Sequence, residues 1–293
     1  MPNHLQYTCL HTHTIFCDGK ADVETFCRQA FDKGLHSLGF SAHAPIEKKT
    51  GFPRTNWTMK EELMGEYIDT VNAAKSRWEG RLRVFLGLEV DYIPGLMGPA
   101  DSEYRELGLD YIIGSVHYII PSRGAPFTVD SNARELQQRI QESYNGDPSA
   151  VTEAYFNSLE TMISTGGLDI IGHPDLIRKS NSKIHFFDED SEFYRKRCAS
   201  AAALAGKGGI ITEVNTGGMN RGYIETPYPS RVLLELFCKN KVPAVINADA
   251  HRPEDLNGYY EEARQALLDA GYKKMVLLEG RKNNRPVWIE KEL

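Results

Sequence analysis

The run "YTCLHTHTIFCDG", residues 7–19, sets two histidines two positions apart and an aspartate five positions further on. Imidazoles and carboxylates are common ligands of divalent metals. On a strand, residues i and i+2 point to one face, so His11 and His13 would face together. The spacing returns in "NADAH", with Asp249 and His251. Between them lie Asp18, His43, Glu89, His117 and His173. Six of the nine histidines belong to this set, while His4, His36 and His185 sit in looser contexts. A single histidine after a strand is more often a hydrogen-bonded core residue than a ligand, and H-x-H alone is a weak pattern. Six histidines and three carboxylates at successive strand ends are harder to explain by packing. Buried charge is costly unless it is paired or coordinates metal. The set reads as a metal site.

The elements that must position these residues are short apolar runs. "YTCL" leads to His11, "HSLGFSA" to His43, "LRVFLGLE" to Glu89, "LDYIIGSV" to His117 and "LDIIG" to His173. "GGIITEVN" ends at Asn215 and "VPAVINAD" at Asp249. Their length and β-branched or aromatic content suit strands buried on both faces. Amphipathic stretches alternate with them: "VETFCRQAFDKG", "MKEELMGEYIDTVNAAKSRWEG", "SAVTEAYFNSLETMISTGG", "DEDSEFYRKRCASAAALAGKG" and "PSRVLLELFCKN". About seven strand–helix repeats predict an α/β fold with a parallel sheet. In a (β/α) barrel the active site sits at the C-terminal ends of the strands, where the candidate ligands fall. Residues 119–150 read as an insertion near the site with one helix, "ARELQQRIQESY". The tail "KKMVLLEGRKNNRPVWIE" reads as a last strand and an exposed turn. No composition break divides the chain, so residues 1–293 are expected to form one domain.

Bulk properties narrow the function classes. The chain has 293 residues, a net charge of -6 and 41% hydrophobic residues, as ordinary globular proteins do. Net acidity gives no support for a broad nucleic-acid surface. No apolar run is long enough to cross a membrane, and the first residues lack the pattern of a signal peptide. Five cysteines without a framework spacing fit a reducing cytosol; Cys9 and Cys17 read as reduced bystanders. The oligomeric state is left open.

"HTHT", "DG" at Asp18, "SAHAP", "GLEVDY", "DYIIGSVHY", "IIGHPDLIR", "EVNT" and "NADAH" together resemble the ordered motifs of the PHP (polymerase and histidinol phosphatase) family. The likeness spans residue 7 to about residue 255, and "GSVHYI", "FTVD" and "GHPDLIRK" are most similar to its histidinol-phosphate phosphatase branch. The resemblance implies a distorted TIM-like barrel of seven βα units with a trinuclear metal site. It implies that His11, His13, Glu89 and Asp249 hold one ion. Glu89, as a bridge, with His117 and His173 would hold the second, and Asp18, His43 and His251 the third. Some members have His where this chain has Asp18; an oxygen ligand there favours iron or manganese over a purely zinc site. The implied reaction is hydrolysis of a small phosphomonoester, L-histidinol phosphate, to L-histidinol and phosphate.

The expected chemistry follows from such a site. A bridged metal pair lowers the pKa of bound water and supplies hydroxide, which attacks phosphorus in line. Three divalent ions over three carboxylates leave a local positive field suited to a phosphate dianion. Arg178, five residues after His173 in "HPDLIRK", is expected to grip phosphate. His251 or Asp18, or equally a metal-bound water, is expected to help the leaving alkoxide to its proton. Glu213, Asn215 and Tyr118 are candidates for substrate recognition, with Glu213 and Asn215 equally able to order ligands from behind. "NTGGMNRG" lacks the P-loop pattern. "GYIETPYP" reads as an ordered loop over the site, with Met219 and Tyr223 as packing residues. The alternative reading is another phosphoesterase of the same family, acting on a different monoester or a nucleotide diester.

Overall fold

A computed structural model describes residues 7–46, 52, 56–283 and 285–293; His4, one of the three histidines outside the expected ligand set, lies outside these. The strands are β1 (Thr8–Cys9), β2 (Ser37–Phe40), β3 (Arg83–Asp91), β4 (Tyr111–Ser115), β5 (Tyr118–Ile119), β6 (Phe127–Thr128), β7 (Ile170–Ile171), β8 (Ile211–Asn215), β9 (Ala244–Asn247), β10 (Lys274–Lys282) and β11 (Arg285–Glu292). Seven of them form one parallel sheet in the order β1-β2-β3-β4-β7-β8-β9. The sheet closes on itself. His13 N–H donates to the Ala250 carbonyl at 2.9 Å, Ala250 N–H donates to the His11 carbonyl at 3.0 Å, and Asn247 Oδ1 accepts from Leu10 N–H at 2.8 Å. The fold is a distorted (β/α)7 TIM-like barrel. Its distortion shows in β1 and β7, each only two residues long.

Helices shield the barrel from outside. Those at Val23–Asp32, Met64–Trp78 and Tyr260–Asp269 pack over one half. Those at Pro148–Thr165, Glu192–Gly208 and Arg231–Lys239 pack over the other. Several begin on a polar cap: Asp22, Asn132, Asp147, Ser191 and Ser230 each accept from first-turn amides, which fixes where strand loops turn into helices.

The barrel interior is apolar towards the strand starts. Leu10, Phe85, Tyr111, Ile113, Ile170, Ile211 and Val245 meet there with Val276 and Leu278 from β10. The tail thus differs from its expectation. Instead of one strand and a turn it makes the β10–β11 hairpin, whose first strand plugs the barrel floor. Helix Tyr260–Asp269 is absent from the sequence-level reading. The 119–150 stretch carries the expected helix, Ala133–Tyr144, and the β5–β6 pairing runs into its start.

Tyr111 shows how tightly the floor is built. Its hydroxyl donates to the carbonyls of Leu10 and Phe40, and its ring lies across Gly87, where an added Cβ would stand 2.5 Å from Cζ. Overpacking of a buried ring costs roughly 1–3 kcal/mol. Gly87→Ala is therefore expected to lower stability by about that amount in urea unfolding; an unchanged midpoint would contradict this packing.

Candidate metal centre

The strand ends bring all nine expected ligands into one cluster. Pairs two residues apart do most of the work, because successive strand side chains alternate faces. His11 and His13 follow β1, Glu89 and Asp91 end β3, Ser115 and His117 end or follow β4, and Asp249 and His251 follow β9. Glu89, 1% exposed, sits in the middle. Its Oε2 lies 3.2 Å from His11 Nε2, 3.6 Å from His13 Nε2 and 2.8 Å from His43 Nδ1. Its Oε1 lies 3.0 Å from His173 Nε2 and 3.7 Å from His117 Nε2, and accepts from Ser115 Oγ at 2.6 Å. Asp249 Oδ1 is 3.2 Å from His13 Nε2. Asp18 reaches His251 Nε2 at 3.1 Å, with His43 Nε2 at 3.9 Å.

These residues fit divalent cations. His11 Nε2, His13 Nε2, His43 Nδ1, Asp18 Oδ1 and Glu89 Oε2 are buried and form no hydrogen bond, although they point at one another. Leaving such a buried polar atom unsatisfied costs about 1–3 kcal/mol; a cation among them satisfies several at once. The tautomers agree. His11 Nδ1 faces Glu213 at 3.0 Å and His117 Nδ1 faces Asp91 at 2.7 Å. A ring that donates from Nδ1 to a carboxylate keeps the Nε2 lone pair for a metal.

Electrostatics favour ionised carboxylates among mixed imidazoles. Burial opposes the charge on Glu89, but His43, His11 and His117 outweigh it and hold the carboxyl well below its usual range. Asp249 is held down against burial by Arg221 and His11, and Asp18 by its bond to His251 and by His43 and His13. His13 is pushed down to about 3 by burial, His251 and His43, so it is neutral and ready to bind metal. His117 is raised to about 9, because Asp91 and Glu89 outweigh burial.

Two residues supporting the cluster stand out. Asp91 was not expected from sequence, although its place two positions after Glu89 on one strand was a usable signal. Glu213, fully buried, accepts from His11 Nδ1, His173 N–H (2.7 Å), Asn215 Nδ2 (2.6 Å) and Asn247 Nδ2 (2.9 Å). It ties four segments together behind the ligands. His173 and Asp249 sit at positive φ, 20° and 48°, a conformation that side-chain-bearing residues adopt at a cost of order 1–3 kcal/mol.

The cluster opens into a cavity of about 570 Å³, whose wall includes Asp18, Trp57, Asp130, Lys179, Arg221, Tyr223 and Asp255. Four expected substrate contacts are not on that wall. Arg178 turns away into a second cavity and donates from Nε to Glu189 Oε2 at 2.6 Å. Its nearness in sequence to His173 misled, because the helix starting at Arg178 aims the side chain outward from the cluster. Glu213 and Asn215 are sealed beneath the ligands and spend their polar atoms on each other and on neighbouring backbone. Tyr118, 4% exposed, stacks behind Trp57 at 5.7 Å between ring centroids. Tyr223 reaches the cavity wall rather than only packing, and Met219 lines the second cavity. Arg221 brings a guanidinium into contact with the cluster, and Arg252 lines the same cavity. Arg221 donates to the Asp249 carbonyl and carboxylate, each at 2.9 Å, and lies 3.0 Å from His251 Nδ1. Nothing in its local sequence marked it.

Metal loading should release protons. A metal takes the neutral imidazole, while His117, with its pKa held at about 9 in the metal-free protein, carries a proton at pH 7. Loading should therefore expel that proton, and apparent metal affinity should rise with pH until about 9. Titration calorimetry in two buffers of different ionisation enthalpy measures this; identical heats in both would contradict it.

Known proteins resemble this chain in sequence and in fold. The chain matches the PHP domain over residues 10–217. A probable histidinol-phosphatase of Deinococcus radiodurans is 29% identical over 263 residues, covering 89% of this chain and 92% of the relative. The histidinol-phosphatase of Bacillus subtilis is 27% identical over 263 residues, covering 86% and 96%. Two solved structures share the fold. One, from Listeria monocytogenes and assigned as a histidinol phosphatase, has a TM-score of 0.76 at 22% identity and covers 87% of this chain and 99% of its own. The other is the histidinol phosphate phosphatase of Lactococcus lactis, complexed with zinc, L-histidinol and phosphate; its TM-score is 0.67 at 16% identity, with 97% and 99% covered. With the match spanning most of its length, the chain belongs to the PHP domain family.

Proposed function

We propose that the chain is a metal-dependent phosphomonoesterase that hydrolyses L-histidinol phosphate to L-histidinol and phosphate. The observation that carries this reading is the buried cluster around Glu89, opening beside Arg221 into a cavity of small-molecule size. Three ions are proposed: one on His11, His13, Glu89 and Asp249, one on Glu89, His117 and His173, one on Asp18, His43 and His251. Zinc, iron or manganese suits this donor set, with Asp18 tilting the third site towards the harder ions. Divalent ions held by these residues would activate water at neutral pH and would offset charge on the phosphoryl oxygens.

The chain's own residues supply the rest. Arg221 is fixed by Asp249 and keeps further N–H donors for a phosphoryl oxygen. Asp18 and His251, in contact on the cavity wall, border the edge where the leaving alkoxide would take a proton from water. Trp57 and the acidic Asp130 and Asp255 on the outer wall suit an imidazole ring and an ammonium group. The choice of histidinol phosphate rests on two relatives of nearly full coverage that carry that name. No described helix is long and apolar enough to cross a membrane. The described cysteines are all free, in keeping with a cytoplasmic setting.

Phosphate release from a panel of monoesters and nucleotide diesters tests the reading. Histidinol phosphate should be the preferred substrate of the metal-loaded protein. Arg221→Lys keeps the charge but loses the fork, and should lower kcat/KM about tenfold with metal content unchanged. Faster cleavage of a diester, or full kcat/KM in Arg221→Lys, would contradict it.

A further inference from the structure

We propose that Arg178 is a positioning residue, which together with Asp175 and Tyr194, both bound to Ser230, clamps residues 216–230 and so holds Arg221 at the metal centre. The inference rests on the reading of Arg221 as the phosphate contact.

Residues 216–230 contain one short helix, Gly217–Asn220, and otherwise run without regular structure. A segment of that kind needs outside anchors to hold one guanidinium in a fixed place. Its end near the barrel is anchored by backbone pairing of Tyr228 with Asn215, at 2.7 and 3.0 Å. At the other end Thr216 N–H donates to the Asn247 carbonyl at 3.0 Å, Thr216 Oγ1 donates to the Gly258 carbonyl at 2.8 Å and Asn220 Nδ2 donates to the Asp255 carbonyl at 3.4 Å. Residues 226–230 are held by the stretch just after His173 and the helix that follows it. Arg178, 7% exposed, donates from Nη2 to Thr226 Oγ1 at 3.1 Å and from Nη1 to the Pro227 carbonyl at 3.4 Å. Its Nε donates to Glu189 Oε2 at 2.6 Å and lies 3.8 Å from Asp175 Oδ2. Asp175 is fully buried; its Oδ2 accepts from Ser230 N–H at 2.7 Å and from the Tyr194 hydroxyl at 2.9 Å. Ser230 Oγ lies 3.0 Å from that same hydroxyl.

The chemistry of these groups suits a clamp. A buried guanidinium is tolerated only when paired and hydrogen-bonded, and Arg178 spreads its donors over one acid, a hydroxyl and a carbonyl, with Asp175 as a second, ion-paired acid. Its planar fork reaches Thr226 and Pro227 together; a lysine ammonium at the same place would not. Asp175 belongs to the loop that carries His173, two residues earlier, and Arg178 starts the helix that follows. One buried network therefore joins a proposed metal ligand's loop to the segment that carries Arg221. Substitution of Arg178 should weaken phosphate binding without any contact between Arg178 and phosphate.

The test uses metal-loaded protein and four variants: Arg178→Ala, Thr226→Val, Arg221→Lys, and Arg178→Ala combined with Arg221→Lys. Hydrogen exchange of residues 216–230 reads the clamp itself, whatever the substrate proves to be. Binding of inorganic phosphate reads its effect on Arg221. Faster exchange in 216–230 is expected for Arg178→Ala and, more mildly, for Thr226→Val, with metal content retained. Phosphate affinity should fall about tenfold in Arg178→Ala, and in the Arg221→Lys background the same change should add little, since both act through one group. Unchanged exchange in both Arg178→Ala and Thr226→Val would overturn the clamp. Losses that multiply in the double variant would overturn the route through Arg221 and return Arg178 to a direct role. A wild-type protein that exchanges as expected yet releases no phosphate from any monoester would count against the proposed function alone.

Discussion

Glu89 is the constraint around which the rest is arranged. It is a carboxylate with almost no access to water, set among the imidazoles of His11, His13, His43, His117 and His173. Removing an ionised carboxylate from water costs several kcal/mol even after the protein relaxes. Hydrogen bonds return part of that cost through Ser115, but Oε2 has no such bond. In the metal-free protein the imidazoles of His43, His11 and His117 offset its charge; metal ions held by the same nitrogens would take over that part when bound.

The fold serves that placement. Parallel strands end together on one side of the barrel, so residues from β3, β4, β9 and the ends of β1, β2 and β7 converge without long loops. Behind them Glu213 binds His11, His173, Asn215 and Asn247, and Asn247 also receives Leu10 N–H where β9 meets β1. One of the contacts that close the barrel, Leu10 to Asn247, and the orientation of His11 are therefore joined through one hydrogen-bonded carboxylate. At the opposite end, Tyr111 and the plug of β10 fill the interior with apolar packing, leaving the polar groups concentrated at the strand ends.

Much of this was legible in the sequence because the signals were periodic and local. Apolar runs ending in His, Asp or Glu marked the strand ends, and two-residue spacing marked shared faces, as at His11 and His13. Where function depended on side-chain direction the sequence was a weaker guide. Arg178 follows His173 closely in the chain, but the start of its helix turns it to Glu189; Arg221, 28 residues before Asp249, comes to the centre only through the folded 216–230 segment. Glu213 offered two readings from sequence, and burial selects the one behind the ligands. Asp91 was passed over, although its place two positions after Glu89 put it on the same strand face; its partner, the Nδ1 of His117, lies 26 residues on. The β10–β11 hairpin was missed because plugging a barrel floor leaves no local pattern beyond an apolar run.

The most direct test of the central claim is the metal content of active protein, measured by elemental analysis together with activity before and after chelation. Compensation of Glu89 and its neighbours by cations predicts three divalent ions per chain, with activity lost on chelation and recovered on adding metal back. An active preparation holding fewer than two ions per chain would contradict the account.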